Sequence, residues 1–223
     1  MRFTRSLSPI VFNYNLNNHS LSTSTQHLYL GILLDHKLSW SSHIDHISTK
    51  ANKILNFLKH NLNSCLSSVK ASAYLMLVHP SMEYAAAIWD PYHHNDILQL
   101  EKVQRRVARW ALNNFDRYSS VTAMLQQLSW PTLKSRRKMF SLHILFKIIH
   151  HNYSLLIPPH YLPMVRSTRQ YHPRCFILPN PNTVLYQQSF YFRSIHNWNN
   201  LPPNLIDCDD IDQFMINYNH LFM

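Results

Sequence analysis

A single glycine, Gly31, occurs among the 223 residues of the chain, and this limits the kinds of site that the chain can form. Average proteins contain about 7% glycine. Phosphate-binding loops of the P-loop and dinucleotide-binding types need several glycines at fixed spacing, so both are excluded. Gly31 interrupts the apolar run 28–34, which has the length of one β-strand. A glycine in that place predicts a β-bulge or a close approach of the backbone to a ligand.

The first 40 residues are predicted to be extended. Residues 10–14 and 28–34 have the composition of two strands, with a polar turn region at 15–24 between them, and this order favours a β-hairpin. From Ser41 onward apolar residues recur at helical spacing, and Ser39 or Ser41 is the predicted N-cap. Residue 40 is therefore the predicted boundary between a hairpin and a helical part.

The remainder is predicted to be mainly helical. Pro80 should kink or break its helix near His79, because proline removes an intrahelical hydrogen bond and its ring clashes with the preceding turn. Asp96 is predicted to cap the helix 97–113, Ser119 and Ser120 are predicted to cap the short helix that ends at 128, and Pro131 suits a first helical position. The predicted helical segments are 41–62, 69–89 with its break, 97–113, a short helix ending at 128, 132–151, 190–199 and 211–222.

Proline enrichment distinguishes the C-terminal part. Eight of the twelve prolines lie between Pro158 and Pro203, among aromatic residues, which predicts extended segments and turns. The predicted fold class is mainly α (α+β): a small N-terminal β-hairpin at 1–40, a helical domain at 41–154 and a C-terminal extension with short helices at 155–223.

The charge of the chain points to a polyanionic partner. The formal net charge is +10, and four of the eleven acidic residues are confined to positions 207–212. A chain this basic is expected to bind nucleic acid rather than an anionic membrane surface. No window has the length and composition of a membrane span. Three widely spaced cysteines predict neither a disulfide framework nor a CxxC metal site, and they fit a reducing intracellular compartment, nucleus or cytoplasm.

Two clusters of basic residues are the strongest chemical signal. The first has the spacing i, i+3, i+4, i+7, which places its members on one helix face. Such a face can contact several backbone phosphates and release their counterions, which gives affinity without sequence specificity. The alternative is an ordinary solvated helix face. The predicted phosphate-binding residues are Lys102, Arg105, Arg106 and Arg109 in the first cluster, and Lys134, Arg136, Arg137 and Lys138 in the second.

Other candidate sites are weaker. Histidine pairs such as His93 and His94 lack a cysteine or acid at metal-ligand spacing, so no metal site and no cofactor are predicted. The cysteines lack a flanking base, so no catalytic residue and no small-molecule substrate are predicted. Asp209 and Asp210 are interpreted as a helix cap and not as the metal-binding pair of a polymerase. The five tryptophans are expected in the core, with base stacking a minority alternative.

The order of several motifs resembles the C-terminal half of the reverse transcriptase of non-LTR (LINE-type, Jockey-like) retrotransposons. The resemblance covers almost the whole chain, and its most specific part is Leu-Glu-Lys-Val-Gln-Arg-Arg-Val-Ala-Arg at residues 100–109. The other segments that carry it are Tyr29-Leu30-Gly31-Ile32; Leu38-Ser39-Trp40 with His43-Ile44; Lys50-Ala51-Asn52; Phe57-Leu58; Pro80 with Glu83-Tyr84-Ala85; Trp89-Asp90-Pro91; Ser119-Ser120-Val121-Thr122; Trp130-Pro131-Thr132-Leu133 with Arg136-Arg137; and Ser189-Phe190, Trp198-Asn199 and Leu201-Pro202.

The resemblance implies a palm-terminal hairpin followed by a helical thumb that holds a template–primer duplex. Leu30 and Gly31 would then lie in a primer-grip-like strand, close to a primer end. The catalytic Tyr-x-Asp-Asp turn of the family has no counterpart here, so we expect a noncatalytic fragment that binds RNA–DNA or DNA duplex backbone. The alternative is the product of a relic reading frame, an orphan helical protein without retained function or with protein–protein association only.

Overall fold

The structure is a computed structural model that describes residues 12–150, 157–161 and 172–222, together with residues 1, 3, 4, 6 and 8. It is mainly helical, with two small antiparallel hairpins near the N-terminus, which confirms the predicted fold class. By backbone contacts the chain groups into two compact units, Met1–Ala85 with His93–Met124, and Ala86–Tyr92 with Leu125–Met223. This grouping differs from the predicted division at residues 40 and 154.

The extended part contains four short strands in two pairs. Strands β1 (Asn15–Leu16) and β2 (His19–Ser20) form a minimal hairpin inside the predicted turn region. Strands β3 (Gln26–Tyr29) and β4 (Ile32–Asp35) form the second, in the register Tyr29↔Ile32. The prediction of one strand over residues 28–34 is therefore wrong, because the chain reverses in its middle. Of the other predicted strand, 10–14, residues 10 and 11 lie outside the described part, and 12–14 form no strand.

Gly31 lies in the two-residue turn between β3 and β4 and not at a bulge. Leu30 and Gly31 both have positive φ, 47° and 81°. This is the pattern of a type I′ turn, whose twist matches that of the flanking strands. The single glycine is thus used where the left-handed backbone conformation is needed.

The helices of the first unit are α1 (Ser41–Asn61), α2 (Ser67–Ala73), α3 (His79–Glu83) and α5 (His94–Ala111), and α6 (Val121–Gln127) begins there. Helix α1 agrees with its prediction within one residue, but neither predicted serine caps it, since the N-cap is Trp40 without a side-chain hydrogen bond. Asp96 lies within the first turn of α5 and is not its cap, because that helix begins three residues earlier than predicted.

The disturbance predicted at Pro80 takes the form of a π-helical turn, Tyr74–Val78, between α2 and α3. The His79 N–H donates to the carbonyl of Tyr74, five residues back. One extra residue in the turn gives room for the proline ring, which would clash with the preceding turn of a regular helix.

The core of the first unit is formed mainly by α1 and α5, which run parallel. Ser41 Oγ donates to Asp96 Oδ2 (2.9 Å) at one end, and Arg106 Nη1 donates to Asn52 Oδ1 (3.0 Å) further along. The β3–β4 hairpin is held to α1 through His43, whose Nδ1 accepts from the Leu33 N–H (3.2 Å). The fully buried apolar residues along the two helices include Ile44, Ala51, Leu55, Leu100, Val103 and Val107.

The second unit contains α4 (Ala86–Trp89), α7 (Leu133–Ile149), α8 (Val184–Gln187), α9 (Phe190–Asn199), α10 (Pro203–Ile206) and α11 (Ile211–Phe222). Helices α9 and α11 have their predicted bounds, whereas α8 and α10, of four residues each, were not predicted. Thr132 caps α7 by accepting from the Ser135 N–H (3.1 Å), which places Pro131 before the helix. Helix α7 packs on α4, α9 and α11 around a core that includes Leu145, Phe146, Ile195, Trp198 and Phe214.

None of the helices in the described ranges combines the length and apolar character that a bilayer span requires.

Candidate nucleic-acid interface

The solvent-facing side of α5 carries most of the first basic cluster. Lys102, Arg105 and Arg106 are exposed, because the helix buries Leu100, Val103 and Val107 on its opposite side. The two acidic residues of α5, Asp96 and Glu101, are each only 8% exposed. The exposed charge of α5 itself is therefore entirely positive.

Helix α1 adds a further cation to this side of α5. Arg106 donates a hydrogen bond to Asn52 of α1, and Lys59, also on α1, lies close to Arg106. Burial, and secondarily the charge of Arg106, lower the pKa of the Lys59 ammonium. Two cations held this close repel each other, and a phosphate between or beside them would relieve that repulsion.

Arg109, the fourth member of the cluster, is half-buried and serves the loop that follows α5. Its guanidinium donates to the backbone carbonyls of Asp116 and Ser119, the latter at 3.4 Å. Two of its donors are thus directed at the protein's own backbone. The cluster of four that the sequence predicted contains three side chains exposed to solvent and one that orders a loop.

Arg137 of the second cluster is not at the surface. It is 1% exposed, and its Nε donates to Asp90 Oδ1 at 2.8 Å. Arg193 approaches the other carboxylate oxygen of Asp90 at 3.5 Å and also donates to the carbonyls of Ala87 and Gln188. The assignment of Arg137 as a phosphate-binding residue is therefore corrected: it is an internal ion-pair partner.

The remaining residues of the second cluster are more accessible. Lys134 is exposed, and Lys138, one turn further, is partly buried, so that burial and the charge of Lys134 lower its pKa. Arg136 lies over the ring of Phe140, 5.5 Å from its centroid. Lys134, Arg136 and Lys138 stay candidate phosphate ligands of the second unit, considered by itself.

Leu30 and Gly31, predicted to be primer-grip-like, form the tip of the β3–β4 hairpin. Leu30 is 72% exposed, and its carbonyl accepts a hydrogen bond from the Tyr84 hydroxyl (3.1 Å). A Cβ on Gly31 would lie 3.3 Å from the Tyr84 ring. The close approach that glycine permits is thus made by a side chain of the same unit, while the side chain of Leu30 faces solvent.

The tryptophans are core residues, as predicted, with one partial exception. Trp89, Trp110, Trp130 and Trp198 are at most 8% exposed, and Trp40 is partly buried. Base stacking on any of the four buried indoles is excluded. Exposed aromatic residues in the loop after α5 are instead Phe115 and Tyr118, which are not among the predicted site residues.

The acidic segment acts within the second unit. Asp210 Oδ2 accepts from the Gln213 N–H (2.9 Å) and so caps α11, which confirms the cap interpretation for this residue. Asp209 pairs with Arg174 (2.9 Å), and Asp207 lies 3.1 Å from His172 Nε2. Among the residues that the structure describes, no three His, Cys, Asp or Glu side chains converge as a metal site requires.

No protein-family model matches the chain, and no curated protein or solved structure matches it either.

Lys59 belongs to the candidate interface but is not one of the predicted phosphate-binding residues. Its sequence position, off the apolar stripe of α1, did indicate a solvent-facing cation. Its neighbourhood with Arg106, 47 positions away, depends on the parallel packing of α1 and α5, for which the sequence carried no local signal.

Proposed function

We propose that this chain is a noncatalytic nucleic-acid-binding fragment of a non-LTR retrotransposon reverse transcriptase, which binds RNA–DNA or DNA duplex backbone through the exposed face of α5. One observation supports the binding activity above all: Lys102, Arg105 and Arg106 face solvent together on a helix whose own acids are buried. The assignment to a reverse transcriptase rests on the order of sequence motifs.

Spacing along a helix suits these cations to a phosphate backbone. Residues three and four apart lie on neighbouring positions of one helix face, about 5–6 Å apart at Cβ. Long side chains at that spacing reach successive phosphates of one strand, and each contact releases a condensed counterion. No bidentate base contact is required, so the binding is independent of sequence.

Lys102 and Arg105 offer the cleanest test. Both are exposed, and no hydrogen bond from either side chain holds the fold among the described residues. The double substitution Lys102→Gln with Arg105→Gln should leave folding intact and weaken binding to a labelled duplex. Wild-type binding is expected in the micromolar range or weaker (roughly 10⁻⁴–10⁻⁶ M), measured by fluorescence anisotropy. The slope of log K against log salt should decrease in magnitude by about 2, since two phosphate contacts are lost.

Lys37→Gln with Lys50→Gln is the charge-matched control, because both residues are exposed in the same unit but lie off the α5 face. It lowers the net charge by the same amount. If the proposal is right, the control reduces affinity far less than the α5 variant. Equal losses from both variants would mean that only net charge matters, and an unchanged α5 variant would rule the α5 interface out.

The absence of polymerase activity is a separate part of the proposal. A primer-extension assay with Mg²⁺ and an RNA or DNA template should give no extended product. Extension by the purified wild-type chain, abolished by heat, would contradict a noncatalytic role.

A second candidate, association with another protein chain, is favoured by exposed apolar residues of the first unit. The π-helical turn exposes Leu75, Met76 and Leu77 by 44%, 74% and 52%. Strand β3 and its turn expose Leu28 and Leu30 by 57% and 72%. Several large apolar side chains exposed in this way are typical of partner binding or aggregation. Light scattering after size exclusion separates the two: a compact monomer that binds duplex favours the nucleic-acid role, and an oligomer without duplex binding favours association.

A further inference from the structure

The loop 112–120 begins where α5 ends, and its first turn is a complete Schellman motif. Asn113 has a positive φ of 54°. The Asn114 N–H donates to the carbonyl of Arg109 (2.9 Å), and the Asn113 N–H donates to that of Trp110 (3.3 Å). These are the two bonds that define the motif, with asparagine in place of the usual glycine. The direction in which the loop leaves the helix is thereby fixed.

Side chains cross-link the rest of the loop. The Asp116 carboxylate accepts from the Tyr118 N–H (3.1 Å) and the Ser119 hydroxyl (3.0 Å). Asn114 accepts from the Asp116 N–H and donates to Ser119 Oγ, both at 3.2 Å. Arg109 joins the loop to α5 by its bonds to the carbonyls of Asp116 and Ser119. With hydrogen bonds at nearly every position, the loop is preorganised.

The preorganised loop holds two aromatic rings in solvent. Tyr118 is 96% exposed and Phe115 is 63% exposed, and the exposed Arg117 lies between them in sequence. Folding normally buries rings of this size, since each can remove well over 100 Å² from water. A loop so extensively bonded that nevertheless leaves both rings in water is explained if the rings bind a ligand.

The neighbours of the rings indicate which ligand. Every other residue from 113 to 120 is polar or charged, so the loop itself gives the rings no apolar neighbours, whereas protein partners cover contiguous apolar patches. Arg105 lies on the exposed face of the preceding helix. Exposed aromatic rings on a loop that also carries the exposed Arg117 suit nucleobases, which can stack on the rings while their phosphates contact the cations.

We propose that Phe115 and Tyr118 form a stacking platform for unpaired bases, so that the ligand of this interface is a duplex with a single-stranded extension. The proposal rests on the proposed backbone binding by α5. The duplex contacts Lys102, Arg105 and Arg106, and unpaired nucleotides continue over the end of α5 onto the loop. Stacking of this kind tolerates any base, because every base has a π-face.

The test compares three labelled DNA ligands by fluorescence anisotropy at one salt concentration: a blunt duplex, the same duplex with a thymidine extension, and the same duplex with an extension of abasic nucleotides. The last two differ in bases and not in phosphates. Wild type should bind the thymidine extension between about 5-fold and about 100-fold more tightly than the abasic one.

Phe115→Ala with Tyr118→Ala should abolish that preference and leave blunt-duplex affinity within about twofold of wild type, since no phosphate contact is removed. Phe12→Ala is the matched control: its ring is also 63% exposed, it lies in the N-terminal segment, and its removal should keep the preference. Tyr118→Trp should keep it as well, because an indole stacks at least as well as a phenol.

The outcomes separate the two proposals. Salt-sensitive binding of the blunt duplex that depends on Lys102 and Arg105, without a preference for thymidine over abasic nucleotides, overturns the platform alone. A preference that persists after both rings are removed overturns it too. If wild type binds none of the three ligands, both proposals are wrong.

Discussion

The basic segments of α5 and α7 are similar in sequence but differ in what their cations do. Each places four Lys or Arg residues within eight positions of a helix. In α5, Lys102, Arg105 and Arg106 are exposed. In α7, Arg137 is 1% exposed and bonds to Asp90. One segment exposes most of its charge to solvent, and the other uses part of its charge inside its own unit.

The difference follows from the position of each cation relative to the apolar stripe. Arg137 precedes the buried Ser141 and Leu145 by four and eight residues, so it lies on the buried side of α7. The α5 cations lie between the positions that bury Leu100, Val103 and Val107. A basic run therefore predicts a binding surface only for those members that are out of register with the core.

Removal of the buried member should have the largest effect on stability. Arg137→Gln leaves the Asp90 carboxylate, 21% exposed, with the more distant Arg193 alone. Breaking a buried ion pair from one side costs about 3–5 kcal/mol. Urea unfolding followed by tryptophan fluorescence measures the loss, since three of the five tryptophans, Trp89, Trp130 and Trp198, lie in the second unit.

Arg136→Gln is the adjacent control. Its guanidinium stacks on Phe140 at the surface, a contact of about 0.5–1 kcal/mol. If both variants lose the same stability, the contrast between a buried and a surface arginine on α7 does not hold.

The position of each histidine relative to the apolar stripe of α1 predicts how the stability of the protein depends on pH. His43 is on the buried side and His46 is exposed. Burial, with a smaller effect of the His46 charge, lowers the pKa of His43 from 6.5 to about 4. The unfolded chain then binds the extra proton first, so stability is full above pH 6.5 and falls as the pH decreases toward 4. The loss is on the order of 2 kcal/mol.

His43→Gln should flatten this part of the profile, because the amide oxygen still accepts from the Leu33 N–H but does not titrate in this range. His46→Gln should keep the slope, although the pKa of His43 rises slightly when the neighbouring charge is removed. Unfolding free energies measured between pH 6.5 and 4 decide this. A His43→Gln profile parallel to wild type would contradict the assignment.

Helices with a clear apolar stripe were predictable from sequence, and this includes α1, α9 and α11. Their buried residues recur every three or four positions, so local pattern and tertiary packing agree. Pro80 was also predictable as the site of a local helix disturbance, because the missing N–H is a property of the proline itself. The π-helical form of that disturbance was not predictable from sequence, because it depends on how the whole segment from α2 to α3 packs.

The turn between β3 and β4 was not predicted, because Leu30 and Gly31 carry only a weak turn signal in the sequence. Leu30 has a positive φ, which costs an ordinary residue about 1–2 kcal/mol, and nothing in the run 28–34 is polar. An Asn-Gly or Asp-Gly pair would have indicated the turn. The bond between Tyr84 and the Leu30 carbonyl, 54 positions apart, offsets part of this cost and has no local sequence signature.

The candidate site was predictable in part. Helical spacing alone identified the exposed α5 cations. The register of Arg137 with Leu133 and Ser141, four residues away on either side, places it on the apolar stripe of α7, so its burial was predictable from sequence. Its ion-pair partner Asp90, 47 positions away, was not predictable from sequence, since this long-range pair arises from the packing of α4 on α7. The exposure of Tyr118 likewise depends on side-chain hydrogen bonds within its loop.

Arg109 is neither exposed like Lys102 nor buried like Arg137, so its substitution should have an intermediate effect on stability. It belongs to the α5 cluster, yet its guanidinium bonds to the carbonyls of Asp116 and Ser119. Hydrogen bonds from charged donors contribute about 1.5–3 kcal/mol when buried and less when half-exposed, so Arg109→Gln should cost roughly 1–2 kcal/mol. The loss should be local: amide hydrogen exchange should accelerate in residues 113–120 and stay unchanged in α1. Uniform acceleration throughout the unit would mean that Arg109 supports the core instead.

The smallest effect on stability should come from the residues with the largest proposed effect on binding. Lys102 and Arg105 are exposed on α5, and surface substitutions away from caps and ion pairs change unfolding free energy by about 0.5 kcal/mol or less. The double glutamine variant should therefore unfold at the same urea concentration as wild type, or slightly higher, because it removes repulsion among the cations of α5. A loss above about 1 kcal/mol would mean that these side chains, like Arg137, have structural partners. The contrast between α5 and α7 requires that binding and stability respond oppositely: α5 charges govern affinity and its salt dependence, and the buried α7 charge governs unfolding.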